Sequence, residues 1–260
     1  MLKYCKQLKH LTIKCATADA IEKLTNLESL ECLKFHTGNK ISKETIIAIS
    51  NNCKKLKHLE IPNFQLVLQS VDDDPHTVSR VLDDLSNLEH LEYLNFADCE
   101  LLQGSTVIAI ADKCKYLKYL NVRGHNNLTK LSYDALTKLE NLQELTVGCS
   151  LAVTNDFVKK LKGLKVFNCD RCLRLTDDGI IQLIKNCPDL ERLSLFHVMS
   201  ITLNTIIAAD LETKNRNNGI VLCIRISDAE LYEAAGRIIT SQWLMTDYSD
   251  DPSSIIVTCP

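Results

Sequence analysis

Eight times along these 260 residues, leucine or a close substitute returns on one fixed spacing. The anchors are Leu11, Leu33, Leu59, Leu94, Leu120, Leu145, Phe167 and Leu193. Three residues before each stands another leucine: Leu8, Leu30, Leu56, Leu91, Leu117, Leu142, Leu164 and Leu190. Two residues after come Ile13, Phe35, Ile61, Phe96, Val122, Val147, Cys169 and Leu195. Six residues before, only Cys or Leu occurs: Cys5, Leu27, Cys53, Leu88, Cys114, Leu139, Leu161 and Cys187. Successive anchors lie 22 to 35 residues apart. Composition alone does not hold four columns in register over eight copies.

This L-x-x-L-x-L core at this period is the signature of leucine-rich repeats. The last two apolar residues are two apart and so share one side of a short extended segment. Apolar residues at three-to-four spacing follow each strand, as in Ile46-Ile47-Ile49, Val107-Ile108-Ile110 and Ile180-Ile181-Leu183-Ile184, and predict helices. Ser42, Thr154, Thr176 and Thr202 precede such runs as helix caps. One repeat cannot bury both faces, so stacking must join them into a common core. The expected fold is α/β: a ribonuclease-inhibitor-like horseshoe solenoid with parallel strands on the concave face and helices on the convex face. Residues 1–216 form about eight repeats with an insertion near 62–80, and 217–260 a C-terminal capping strand, helix and tail.

A net charge of −3 gives no global reason to expect nucleic acid or an acidic membrane as partner. No apolar run is long enough to span a bilayer, and the N-terminus lacks a signal-peptide core, so a cytoplasmic or nuclear location is expected. The sequence has no P-loop, dinucleotide-binding turn, nucleophile elbow or metalloprotease helix, and its seven His are scattered. No catalytic residue and no cofactor is assigned; the chain reads as a binding module.

Twelve cysteines suggest a disulfide framework, a metal site or repeat positions. Register favours the last. Cys5, Cys53, Cys114 and Cys187 fill the slot six before an anchor, while Cys15, Cys99, Cys149 and Cys172 fall four or five after one. Free Cys suits a small buried slot. Cys169-Asp-Arg-Cys172 has metal-ligand spacing, but no second pair stands nearby in sequence to complete a site, so no metal is assigned.

With Cys in both slots, the run from Cys172 to Leu190 resembles the cysteine-containing class of leucine-rich repeats, best known from F-box/LRR proteins. The likeness covers about residues 1 to 210. It is closest at 164–190, with Leu175-Thr176-Asp177-Asp178-Gly179 as the loop-to-helix element, and degenerate at Leu102-Gln103-Gly104-Ser105 and Ile41-Ser42-Lys43-Glu44. The resemblance implies substrate recognition for an SCF-type ubiquitin ligase, with catalysis left to other subunits. In that family an F-box ahead of the repeats docks the ligase adaptor. Here a repeat core, Leu2 through Ile13, follows Met1 at once, so adaptor and cullin are expected partners only if an F-box is supplied upstream. The alternative is a free-standing adaptor or inhibitor built from the same repeats.

Positions one before, one after and three after each anchor should face outward on the concave surface, where a protein target would bind. Tyr93 and Tyr119 share one such position in adjacent repeats, Asn95 and Asn121 another, with Arg123 beside them. Tyr and Arg often dominate interface energies. Lys34, His36 and His58, with His10 and Lys14, form a basic stretch suited to an acidic segment. Solvation alone also asks for polar residues at such positions. In the insertion, Asp72-Asp73-Asp74 reads as a solvated turn, and Phe64, Leu66 and Leu68 as packing residues of an extra strand or helical turn. Ile220–Ile226 reads as a last buried strand, followed by a helix after Asp228 and by Trp243 as a packing residue.

Overall fold

The computed structural model describes residues 7–14, 27–38, 40–67 and 80–250. The chain divides into two compact units, Met1–Leu142 and Gln143–Pro260. In the first, the main sheet holds β1 (His10–Ile13), β2 (Cys32–Phe35), β4 (His58–Glu60), β6 (Tyr93–Asn95) and β7 (Tyr119–Asn121), all parallel. Two short strands of the loops, β3 (Lys40–Ser42) and β5 (Gln65–Val67), pair separately. In the second unit, β8 (Glu144–Thr146), β9 (Val166–Asn168), β10 (Arg192–Ser194), β11 (Leu222–Ile226) and β12 (Leu244–Tyr248) are again parallel.

The anchors pair with one another. Leu11, Leu33, Leu59, Leu94 and Leu120 lie in register in the first unit, and Leu145, Phe167 and Leu193 in the second, where Ile224 and Thr246 extend the row. Period-2 alternation sends the anchors inward and their flanks outward, and β4, β6, β7, β8 and β9 are buried only at the centre. The column three before the anchors is buried from Leu30 onward, as is the Cys/Leu column from Leu27 onward. Only Leu8 and Leu11, at the first described strand, are partly open.

Helices return the chain between strands. They are α1 (Lys43–Asn52), a 3-10 helix (Val81–Asn87), α2 (Gly104–Lys113), α3 (Lys130–Leu136), α4 (Asn155–Val158), α5 (Asp177–Asn186), α6 (Leu203–Lys214) and α7 (Ala229–Ile238). Their apolar sides face the core: Ile46 and Ile49, Val107 and Ile110, then Ile180, Leu183 and Ile184 are all buried. The helix expected after Asp228 is α7, with the Asp228 carboxylate accepting from the Leu231 N–H.

The loop joining strand to helix has its own phase. Four residues past the anchor the backbone is left-handed at Asn63, Asp98, Gly124, Cys149, Arg171 and His197. Five past it Cys99, His125, Ser150, Cys172 and Val198 are buried; nine past it Ser42, Gln103, Thr129, Thr154, Thr176 and Thr202 are helix N-caps. The sharp turn lets main-chain hydrogen bonding continue beyond the strands. The N–H groups of Asn63, Asp98, Cys149 and Arg171 reach the carbonyls of Ala97, Arg123, Asp170 and Phe196 in the next repeat at 2.7–2.9 Å. At Gly124 a Cβ would fall 2.1 Å from the Asp98 carboxylate, so a larger residue there would have to displace that side chain.

The caps also bridge repeats. Ser42 and Thr202 accept from their own helices, at Thr45 N and Asn204 N. The Thr176 hydroxyl instead accepts from the Asn155 amide, while Asp177 accepts from the main chain and hydroxyl of Thr202 and from the Thr205 hydroxyl. Burial alone would raise the Asp177 pKa, but these donors hold it below the ordinary carboxylate range.

The nine described cysteines are free thiols, and Cys53, Cys114 and Cys187, in the slot six before an anchor, are buried. Cys114 Sγ donates to the Leu88 carbonyl and Cys187 Sγ to that of Leu161, one repeat back in the same column. A thiol thereby adds a weak inter-repeat link that leucine lacks. Burial pushes the Cys99, Cys114 and Cys172 thiols up to about 12. Cys169 and Cys172 point their thiols at the Ser194 and Val147 carbonyls. Among the described residues no three His, Cys, Asp or Glu side chains gather as a metal-ligand set. Cys5, Cys15 and Cys259 lie outside the described residues.

Within the insertion Phe64 is buried and Gln65–Val67 is the strand β5. Leu68 and Asp72–Asp74 lie outside the described residues. In the second unit the buried Asp210 carboxylate accepts from the main-chain N–H groups of Thr240 and Ser241 and pairs with Lys214 at 2.7 Å. Burial opposes its ionisation, yet these donors outweigh that cost and its pKa falls well below the usual carboxylate range.

Leu117, fully buried in its column, should cost about 2–5 kcal/mol when truncated to alanine, read from urea denaturation. Asp210→Ala strands two main-chain donors and should cost about 2–4 kcal/mol at neutral pH. A carboxylate with a depressed folded pKa stabilises above its unfolded value and loses that contribution as pH falls through the folded one. The gap between wild type and Asp210→Ala should therefore narrow below about pH 4, measured by denaturation across an acid series.

Candidate functional site

The residues singled out on the strand face all lie in the first unit, and the register draws most of them together. Tyr93 pairs with His58 on one side and Tyr119 on the other, each one residue before its anchor. Their rings form a continuous three-ring stack. His58 and Tyr93 have centroids 3.9 Å apart with planes 6° from parallel; Tyr93 and Tyr119 are 3.9 Å and 5°. Parallel strands lie about 4.8 Å apart, so the rings lean toward one another to reach contact. Such pairs stabilise by about 0.5–1.5 kcal/mol beyond area burial. All three side chains remain half-buried.

Beside the rings, one residue past the anchors, runs a polar row: Lys34, Glu60, Asn95 and Asn121. One carboxylate oxygen of Glu60 takes both Lys34 Nζ at 2.8 Å and His58 Nε2 at 2.5 Å. Burial would raise the Glu60 pKa, but the hydrogen bonds from Lys34 and His58 bring it below its ordinary value; Lys34 is raised by the same contact, chiefly through its hydrogen bond. Part of the positive charge expected along this stretch is thus already matched by Glu60.

The asparagines have a local task. Asn95 Oδ1 accepts from the Ala97 N–H and Asn121 Oδ1 from the Arg123 N–H, at 3.0 and 3.1 Å. Asn168 does the same for Asp170 in the second unit. Short Asx turns of this kind aim the chain out of the strand. Among the described residues the Asn95 and Asn121 amide nitrogens have no further partner, leaving a donor each on the face. Arg123 is exposed and leans on Asp98 at 3.8 Å, and His36 is exposed at the third position past its anchor.

Two features were not read from the chain. His58 belongs to the tyrosine stack rather than to a separate basic stretch, and Glu60 ties the two groups together. The long insertion between Leu59 and Leu94 separates His58 from Tyr93 in sequence; their common offset from an anchor was the signal that joins them. Register also sets Cys32 beside His58. No hydrogen bond links them among the described residues, and burial raises the Cys32 pKa, the reverse of an activated thiolate.

The arrangement offers three stacked aromatic edges, an ion-paired carboxylate and a row of amide donors: the chemistry of recognition. Among the described residues, no helix is long and apolar enough to cross a membrane.

No family model matches the chain. Among solved structures, it superposes on one of the Rad7 and Elc1 complex in yeast with a TM-score of 0.53 and 17% identity, covering 92% of this chain and 80% of that one. An internalin, inlF, from Listeria monocytogenes gives 0.55 and 16%, covering 89% of this chain and 59% of the internalin chain. Internalin C2, inlC2, from the same organism gives 0.50 and 16%, covering 93% and 76%. At these identities the likeness concerns the fold, and it agrees with the strand register and the recurring columns: the chain is built on the leucine-rich repeat fold.

Proposed function

We propose that the strand face of the first unit is a protein-recognition surface, with the His58–Tyr93–Tyr119 stack as its anchor. The observation that carries this reading is the stack itself. Solvation of an outward strand position requires only a polar side chain, whereas here three half-buried rings run unbroken across three strands. Rigid aromatic edges flanked by polar donors are what interface hot spots use. Asn95, Asn121 and Arg123 would bond a target's main chain or carboxylates, while Lys34, His36 and His58 would favour acidic side chains.

The finer reading is substrate recognition for an F-box/LRR-type SCF ubiquitin ligase, in the cytoplasm or nucleus, with ubiquitin transfer left to other subunits. It rests on the Cys/Leu columns and the 164–190 repeat, which resemble that class. The structural neighbour Rad7, which crystallised with Elc1, gives a precedent for a chain of this fold held by a second protein. A free-standing adaptor or inhibitor would use the same face without a ligase.

Affinity purification of the full-length protein from cells, beside Tyr93→Ala/Tyr119→Ala, tests both levels. The double variant loses the stack, costing roughly 1–2 kcal/mol of stability, and should remain folded. A target kept by wild type should bind the variant at least about tenfold more weakly, a loss of about 1.4 kcal/mol. An unchanged set of bound proteins with unchanged affinities would rule out the platform. Ligase adaptor and cullin subunits should co-purify with both proteins; their absence would reject the ligase reading and favour the free-standing one.

A further inference from the structure

We infer a second docking surface, on the strand-to-helix loops of the second unit, that takes a protein segment combining apolar and acidic side chains. Six residues past the anchor stand Leu151, Leu173 and Met199 in three successive repeats, exposed by 57%, 54% and 79%. Their loops share one phase, with left-handed residues at Cys149, Arg171 and His197 and helix caps at Thr154, Thr176 and Thr202. The Cys149 and Arg171 N–H groups, two residues earlier, bond to Asp170 and Phe196 of the next loop, so the three side chains stand at matching places in adjoining loops and form an apolar ridge. In the first unit the same position holds Glu100 and Asn126, both exposed, which is the ordinary solvated choice. Beside Met199 the ridge runs into a cavity of about 280 Å3 whose far wall is Leu231 on α7.

Charge selects the occupant. Arg171 and Arg174 are exposed on either side of Leu173, and neither has an ion pair among the described residues. Of the nearby acids, Asp170 accepts from Ser194 Oγ, Phe196 N and Asn168 Nδ2, Asp178 pairs with Lys159, and Asp228, in the cavity wall, caps α7 by accepting from the Leu231 N–H. Two free guanidiniums framing a leucine suit a segment that sets two or three apolar side chains on the ridge and carboxylates on the arginines. The surface shares no residue with the His58–Tyr93–Tyr119 stack and does not rest on the function proposed for it.

The test pans a displayed library of random twelve-residue peptides against the full chain, then measures each selected peptide by fluorescence anisotropy. Selected peptides should combine Leu, Ile, Phe or Met with Asp or Glu. Leu173→Ser/Arg174→Glu, at exposed positions and with an unchanged urea midpoint, should weaken them at least tenfold, while Tyr93→Ala/Tyr119→Ala leaves them unaltered. Basic or wholly polar peptides, or affinities indifferent to the ridge variant, would overturn the proposal. Residues 251–260 carry similar chemistry in Asp251, Ile255, Ile256 and Val257. A tenfold gain in peptide affinity on Ile255→Ser/Ile256→Ser/Val257→Ser would make that tail the occupant and overturn the inference. Self-association abolished by Leu173→Ser would do so in favour of a second copy.

Discussion

The repeats described from strand through helix each hold a strand, a turn and a short helix with too little apolar surface to fold alone, and stacking is the only route by which their columns leave water. Everything else follows from making that stacking continuous. Side chains interlock through the leucine columns. The main chain extends its ladder past the strands at Asn63, Asp98, Cys149 and Arg171, where the fourth residue after the anchor turns left-handed and donates to the next repeat. Buried thiols and helix caps add further links one repeat away. Core, backbone and caps all enforce the same register.

That register is also what gives the outward positions meaning. A fixed offset from an anchor becomes a row of neighbours about 4.8 Å apart, so a site can be assembled from residues far apart in sequence. The His58–Tyr93–Tyr119 stack is such a row, and Lys34–Glu60 is bonded across the next one. Outward residues nonetheless divide by task. Asn95 and Asn121 are held by the turn that ends their strands and recur as Asn168 in the second unit, so the turn already accounts for them. The tyrosine rings instead stack across neighbouring strands, and the proposed recognition surface is centred on them.

The fold was legible because its signal is written eight times over: columns of leucine announce a strand that buries one face, and the helical runs between them follow. Ser42, Thr154, Thr176 and Thr202 were recognisable as caps from position, but not that Thr176 and Thr202 would be bonded by side chains of the preceding repeat. The left-handed column escaped notice because six different neighbours, Asn63, Asp98, Gly124, Cys149, Arg171 and His197, fill it; backbone geometry there is imposed by the ladder, not by residue type. In the site, both tyrosines were visible by offset. The place of His58 beside them was hidden by the insertion, and the Glu60 bridge by the sequence distance to Lys34, which it meets only across strands.

Selective labelling of His and Tyr rings tests the register most directly, through nuclear Overhauser contacts in the full-length protein. His58 ring protons should show cross-peaks to Tyr93, and Tyr93 to Tyr119, while His58 and Tyr119, two strands apart, show none. Loss of the His58–Tyr93 contact, or its replacement by a contact from His58 to another strand, would contradict the alignment on which the site and the fold both stand.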